Sequence, residues 1–227
     1  MFKNELATDK GEQTRRHIFE CALELFREKG FDATTMMDVA VRAKVVKSAA
    51  YYYFPSKEAI IQAYYEMIQA EQNRLMEEAV GEGDLSLKQR LHVAMHSKFD
   101  LAEKDRRLLG VVFRYAGEPQ HPLSCLGPAT ADIRRQAIEV FQLAIKGERL
   151  PKDLEELLPL ALWALQMGLL VLFLYDETPK QVRTRTLANG ALALTVNLLA
   201  IAKTPLLRPI RTKILSLLRE ADLLPER

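Results

Sequence analysis

The sequence predicts an all-α protein: an N-terminal three-helix head containing a helix-turn-helix, followed by a larger helical body. Three observations lead there. Apolar residues recur at helical spacing through nearly the whole chain, and strand-like alternation is absent. Two short periodic segments, 35–43 and 46–53, lie next to each other just before an aromatic-basic cluster. An uncharged run from Leu157 to Tyr175 is followed by a second apolar helix pattern, more buried surface than a small head alone would need.

In chain order, helices are expected at 13–29, 35–43, 46–53, 56–80, 86–104, 105–117, 129–147, 153–175, 179–202 and 206–220. The segment Gly81-Glu82-Gly83-Asp84 breaks the pattern, and Ser86 can cap the helix after it. A second break is Glu118-Pro119-Gln120-His121-Pro122. The polar start, MFKNELATDKGEQTRR, has no apolar core of signal-peptide length and reads as a partly disordered arm of a protein that is not secreted. Cys21 and Cys125 are too isolated for a disulfide framework, which fits a reducing, cytoplasmic setting.

Within the two short helices, Thr34 and Thr35 can cap the first, whose apolar positions are Met36, Val39, Ala40 and Ala43. The second carries Lys47, Ser48, Tyr51, Tyr52 and Tyr53, and a major groove admits one such helix. The chain of 227 residues has a net charge of only +2, so any nucleic-acid contact must be local. Arg42, Lys44, Lys47 and Lys57 against the single acid Asp38 supply such a concentration. Lys47 would point at a groove edge and can pair with guanine O6 or N7.

Arg16-His17-Ile18, Ala22 to Phe26, Glu28-Lys29-Gly30-Phe31, Thr34-Thr35, Asp38-Val39-Ala40, Tyr51 to Phe54 and Ser56-Lys57-Glu58 follow one another in an order that resembles the TetR family of bacterial transcriptional repressors. The resemblance implies a DNA-binding domain over 1–57 and a ligand-binding and dimerisation domain over 58–227. It implies a palindromic double-stranded DNA operator bound by a homodimer, and a small-molecule effector that shifts the two heads apart and releases the operator. Tyr51, Tyr52 and Lys57 match family positions that hold the DNA backbone, which completes an expected DNA-binding set of Thr35, Lys47, Ser48, Tyr51, Tyr52 and Lys57. The departures lie in the turn and second helix: Lys44 where Gly is usual, Val46 where Ser or Thr caps, Ser48 for Gly and Ala50 for Leu. A non-Gly residue at positive φ costs on the order of 1 kcal/mol, so a rebuilt turn is expected at Lys44.

In the body, the resemblance implies that the last long helices pair into a four-helix dimer interface, for which 153–175 and 179–202 are the candidates. Acidic residues on both sides of the 157–175 run, without an aromatic belt or basic flank, argue against a membrane span. The segment 206–220 reads as an extra helix covering apolar surface. A pocket between helices is expected to be lined by Met95, Phe99, Phe113, Phe141, Trp163, Gln166 and Met167, with a small hydrophobic effector; a buried amide at Gln166 would need partners that a ligand can supply. No catalytic set and no cofactor motif is present. His92, His96 and Asp100 share a helix face, but no metal is expected there because the Glu of a metalloprotease helix is missing. Two rival readings remain: an all-α protein-interaction module without operator binding, and a small metal-dependent enzyme using His92 and His96.

Overall fold

The computed structural model describes residues 2–81, 83 and 85–221, with side chains from Lys10 onward. Its helices are α1 (Phe2–Lys29), α2 (Met36–Arg42), α3 (Lys47–Tyr53), α4 (Lys57–Gly81), α5 (Leu87–Ala102), α6 (Arg106–Arg114), α7 (Ala131–Ile145), α8 (Lys152–Tyr175), α9 (Val182–Ala202) and α10 (Arg208–Glu220). The described residues contain no strand. The expected disordered arm is instead the first part of α1. Lys, Glu, Leu, Ala and Gln dominate that stretch, no proline stops it, and Thr14 Oγ1 donates back to the Lys10 carbonyl at 2.8 Å.

Packing divides the chain into two compact units, Met1–Met67 with Lys104–Asp132, and Ile68–Glu103 with Ile133–Arg227. This division does not follow the expected boundary between residues 57 and 58. The first half of α4 and the α6 region join the head because polar ties hold them there. Tyr65 Oη donates to the Leu108 carbonyl at 2.6 Å, Gln62 Nε2 to the Pro122 carbonyl at 2.7 Å, and Arg114 pairs with Asp32.

In the first unit, Ile18, Ala22 and Phe26 of α1 meet Val39 and Ala40 of α2, Ala50 of α3 and Ile60, Ile61 and Tyr64 of α4 in one core, all of them buried. Phe26 packs on Phe31 with ring centroids 5.4 Å apart, and Phe19 on Phe54 at 6.2 Å. Fully burying such a ring contributes about 1.5–3 kcal/mol, which helps to fix α2 and α3, two helices too short to be stable alone.

In the second unit, Leu91, Met95 and Phe99 of α5, Val140 and Phe141 of α7, Leu162, Leu169 and Phe173 of α8 and Ala188, Leu192 and Leu199 of α9 form the core. Phe99 and Phe173 stack at 5.2 Å. Ser86 caps α5 in a reciprocal box with Gln89, as its spacing predicts. Between α8 and α9, Asp176 accepts from the backbone N–H and hydroxyl of both Thr178 and Thr184. Burial pushes its carboxyl upward, but these four donors outweigh that and hold it well below the usual range. They hold a turn in which Lys180 and Gln181 both take left-handed backbone, at φ 54° and 51°. α10 lies on α8 through the Arg211–Asp153 pair, 2.7 Å, and buried Leu215.

Candidate functional site

The helix-turn-helix is assembled from α2 and α3. Thr35, not Thr34, is the N-cap of α2: its Oγ1 accepts from Asp38 N–H at 3.1 Å, and Asp38 Oδ2 accepts from Thr35 N–H and Oγ1, each at 2.7 Å. Lys29 bonds the same carboxylate at 2.8 Å and, with Thr35, holds it well below the usual carboxylate range. Thr34 is instead buried, donating to the Gly30 carbonyl at 2.8 Å.

The turn is not rebuilt. α2 ends in a Schellman motif, Val45 N–H to Ala40 O at 3.0 Å and Lys44 N–H to Val41 O at 3.1 Å, with Lys44 at φ 54° where Gly would sit. Two backbone bonds and the buried flanks Ala40 and Ala43 outweigh the roughly 1 kcal/mol of left-handed strain. Val46 occupies the N-cap of α3 without a side-chain bond, and 70% of it is exposed.

Ala50 and Phe54 anchor α3 in the core, which leaves Lys47, Ser48, Tyr51 and Tyr52 together on one exposed face. Tyr52 is 82% exposed, more than a tyrosine that only packs would be. Lys47 Nζ lies 5.7 Å over the Tyr51 ring. Thr35 and Lys57 stand apart from that face in chemistry. The hydroxyl of Thr35 is committed to its cap, and Lys57 Nζ donates to the carbonyls of Phe31 at 2.8 Å and Asp32 at 3.4 Å.

The basic concentration is smaller than the sequence indicates. Arg42 is bound bidentately by Glu28, at 2.9 and 2.6 Å, with Glu24 at 3.4 Å. Lys44 and Lys47 are the members of the expected four that remain exposed with no carboxylate or carbonyl partner. Sequence reasoning missed the exposed apolar side chains Met37, Val41 and Val46 of the same motif. The available signal was their position between core residues, where a surface helix ordinarily carries polar groups.

In the second unit, Met95, Phe99 and Phe141 are fully buried, Gln166 is 1% exposed, and Trp163 and Met167 are half-buried. Phe113 lies in the first compact unit and the other six expected lining residues in the second. The Gln166 amide donates to the carbonyls of Ala94, 3.1 Å, and Met95, 3.4 Å, and Gln72 Nε2 reaches the same Ala94 oxygen at 2.8 Å. Gln72 Oε1 and Ser97 Oγ are buried with no partner among the described residues. Lys98 Nζ donates to Gln69 Oε1 at 2.7 Å, and desolvation pushes its ammonium down to about 7. This polar interior was legible only at Gln166. Gln69 and Gln72, three residues apart on α4, were the missed signal.

His92 and His96 stack face to face at 4.0 Å, and His96 Nε2 lies 2.9 Å from Asn189 Oδ1. Burial, with His92 alongside, pushes His96 down to about 4. The described residues contain no group of three His, Cys, Asp or Glu placed to share a metal ion.

α8 exposes Ala161, Ala164, Gly168, Val171, Leu172 and Tyr175, and α9 exposes Leu187, Gly190, Leu194, Leu198 and Ile201. Each set follows helical spacing, so each helix presents one apolar stripe outward while the opposite stripe is buried. Both helices are long and apolar enough to cross a membrane.

Residues 18–64 match the family model of bacterial regulatory proteins of the tetR family, and residues 90–212, more than half the chain, match the tetracyclin repressor-like C-terminal domain. The HTH-type transcriptional regulator YuxN of Bacillus subtilis is 48% identical over 44 residues, 19% of this chain and 15% of that protein. The HTH-type negative transcriptional regulator IcaR of the Staphylococcus aureus biofilm operon icaADBC is 44% identical over 43 residues, 19% of this chain and 23% of that protein. The chain thus matches less than a quarter of the length of either relative. The fold resembles the transcriptional regulator FadR of Bacillus subtilis in complex with stearoyl-CoA, with a TM-score of 0.61 and 17% identity, covering 78% of this chain and 96% of that one. With both of its halves matched in order, the chain belongs to the tetR family of bacterial regulatory proteins.

Proposed function

We infer that this protein is a cytoplasmic, ligand-responsive transcriptional repressor that binds a palindromic DNA operator as a homodimer and is released by a small effector. The observation that carries the reading is the exposed face of α3, where Lys47, Ser48, Tyr51 and Tyr52 stand together over a helix anchored by Ala50 and Phe54. Such a face offers donors to base edges and phosphates and has no role in the protein's own packing. The apolar stripes of α8 and α9 support pairing with a second copy. Glu155, Glu156, Asp176 and Glu177 bracket the apolar part of α8 where a membrane span would carry an aromatic or basic flank.

The effector reading draws on the polar interior around Gln72, Ser97 and Gln166 and on the fold shared with an acyl-CoA-bound regulator. An effector releases DNA only by binding more tightly to the DNA-incompetent arrangement, and a coupling of about 1–3 kcal/mol would change operator affinity roughly 5- to 150-fold. The test is selection of duplexes from a random pool by the purified protein, followed by competition with a small-molecule library. A palindromic consensus whose binding weakens with salt and with an effector supports the reading. A protein that enriches no sequence is an interaction module instead. Gln166→Leu should change effector affinity, and Trp163, the only tryptophan, reports binding by fluorescence.

A further inference from the structure

The N-terminus of α8, the end of α9 and α10 enclose an open groove of about 630 Å³. Five cations line it, Lys152, Lys203, Arg208, Arg211 and Arg219, against the single lining acid Asp153. Asp153 is taken by Arg211, and Arg219 is paired with Glu156 outside the lining. Lys152, Lys203 and Arg208 form no ion pair among the described residues, so three positive charges face one groove uncompensated. A surface of this net composition on a chain of charge +2 is a local excess, not a reflection of the whole.

The floor of the groove is rigid. Arg211 is 6% exposed, with Nε on Asp153 Oδ2 at 2.7 Å and Nη1 on the carbonyls of Ala202 and Thr204. Arg219 Nε is buried with no partner among the described residues. Like charges lining one groove favour an anion among them, and their number favours a ligand that carries more than one negative charge.

We propose that this groove binds a polyphosphate-bearing molecule, at a place separate from the α3 face and from the Gln166 interior. The phosphate groups are the recognised chemistry; they can be carried by a soluble molecule or by a lipid headgroup. The inference does not depend on operator binding, because no DNA enters its test.

Inorganic tripolyphosphate, titrated calorimetrically into the full chain at low ionic strength, should bind saturably with one site per chain. The Lys203→Ala/Arg208→Ala variant should weaken it about tenfold or more, through loss of two charge-assisted contacts. Lys213→Ala removes the same kind of charge from α10 outside the lining and should leave affinity within about twofold, a difference that general electrostatics cannot produce. The side chains of Arg208 and Lys203 make no hydrogen bond or ion pair among the described residues, so thermal melts of the double variant should overlay the wild type. Sedimentation with vesicles of cardiolipin, whose headgroup carries two phosphates, and of phosphatidylcholine separates the sources: pelleting with the cardiolipin vesicles only, lost in the double variant, assigns the phosphate to lipid, and no pelleting assigns it to a soluble ligand. No saturable tripolyphosphate binding, or an equal loss in Lys213→Ala, overturns the proposal.

Discussion

Arg27 grips Asp105 with both prongs of its guanidinium, Nε to Oδ1 at 2.6 Å and Nη2 to Oδ2 at 2.8 Å, across 78 positions of sequence. Tyr64 Oη adds a third donor to Oδ2 at 3.1 Å, so α1, α4 and the turn before α6 meet at one carboxylate that is 7% exposed. Burial, with Asp105 beside it, pushes the Tyr64 hydroxyl well above its ordinary range.

Asp105→Asn should therefore destabilise the protein. The amide keeps one acceptor but faces three donors, and Arg27 is half exposed, so solvent offsets part of the loss. About 1–2 kcal/mol is expected, read as a lower urea midpoint. The hydrogen bond and charge of Arg27 hold the Asp105 carboxyl below its unfolded value. A depressed carboxylate stabilises the fold above its unfolded pKa of about 3.9, and that contribution is lost as pH falls through the lower folded value. The Asp105→Asn deficit should shrink on acidification and vanish once the wild-type carboxyl is protonated. A deficit constant with pH would mean the charge contributes nothing.

Lys44→Gly should raise stability and lower DNA affinity at the same time. Glycine removes the left-handed strain at φ 54°, about 0.5–1 kcal/mol, while both Schellman hydrogen bonds remain available from the backbone. The exposed ammonium is lost, so if it meets a phosphate the salt dependence of binding should fall by close to one ion. Equilibrium unfolding and a salt titration of operator binding check the two halves separately. A variant that is less stable would show that Lys44 is held by more than its backbone.

Helix order and the cores were legible because periodicity reports burial directly: Met36, Val39, Ala40 and Ala43 are all inside, as their spacing requires. The exposed face of α3 was legible for the converse reason, since Lys47, Ser48, Tyr51 and Tyr52 are polar positions spaced around the small apolar Ala50. The partners of charged groups were not. Nothing near Arg42 in sequence says that Glu24 and Glu28, on another helix, neutralise it, and nothing near Lys57 points to the Phe31 carbonyl. The turn at Lys44 failed for an energetic reason: a local penalty of about 1 kcal/mol is small beside the burial that fixes α2 and α3.

Lys98 gives a pH signature of the same sign as Asp105 but in a higher pH window, and it arises from a penalty on the charged form where Asp105 gains from it. Desolvation lowers its folded pKa to about 7, against about 10.4 in an unfolded chain, so between those values the unfolded state binds more protons. Stability should rise with pH across that window and be penalised below it. Lys98→Met, which keeps the stem and removes the charge, should raise the melting temperature more at pH 6 than at pH 10. Equal gains at both would place the ammonium in solvent and remove Gln69 as its partner.

Leu194→Arg tests the proposed pairing of α9 with a second copy. The side chain is 61% exposed in the single chain, so a charge there costs the isolated fold little. Buried in a dimer interface it would cost several kcal/mol, because an unpaired charge loses its water. Sedimentation equilibrium should show a folded monomer with unchanged helicity, where the wild type is a dimer at micromolar concentration. A wild-type monomer would remove the stripes of α8 and α9 as an interface.

Lys47 and Lys57 should separate base reading from scaffolding. Lys47 lies on the exposed face of α3 with no bonded acceptor, so Lys47→Ala should relax preference at one base pair by about 1–3 kcal/mol and leave stability unchanged. Lys57 Nζ is bonded to the Phe31 and Asp32 carbonyls and lies 4.5 Å over the Phe31 ring. Removing it unties the start of α4 from the loop after α1, at a cost of about 1–2 kcal/mol in unfolding free energy. DNA binding should then weaken equally for all sequences through a less ordered head, with little change in salt slope. If Lys57→Ala instead leaves stability intact and lowers the slope by nearly one ion, its third donor is on a phosphate, and the carbonyl bonds only aim it there.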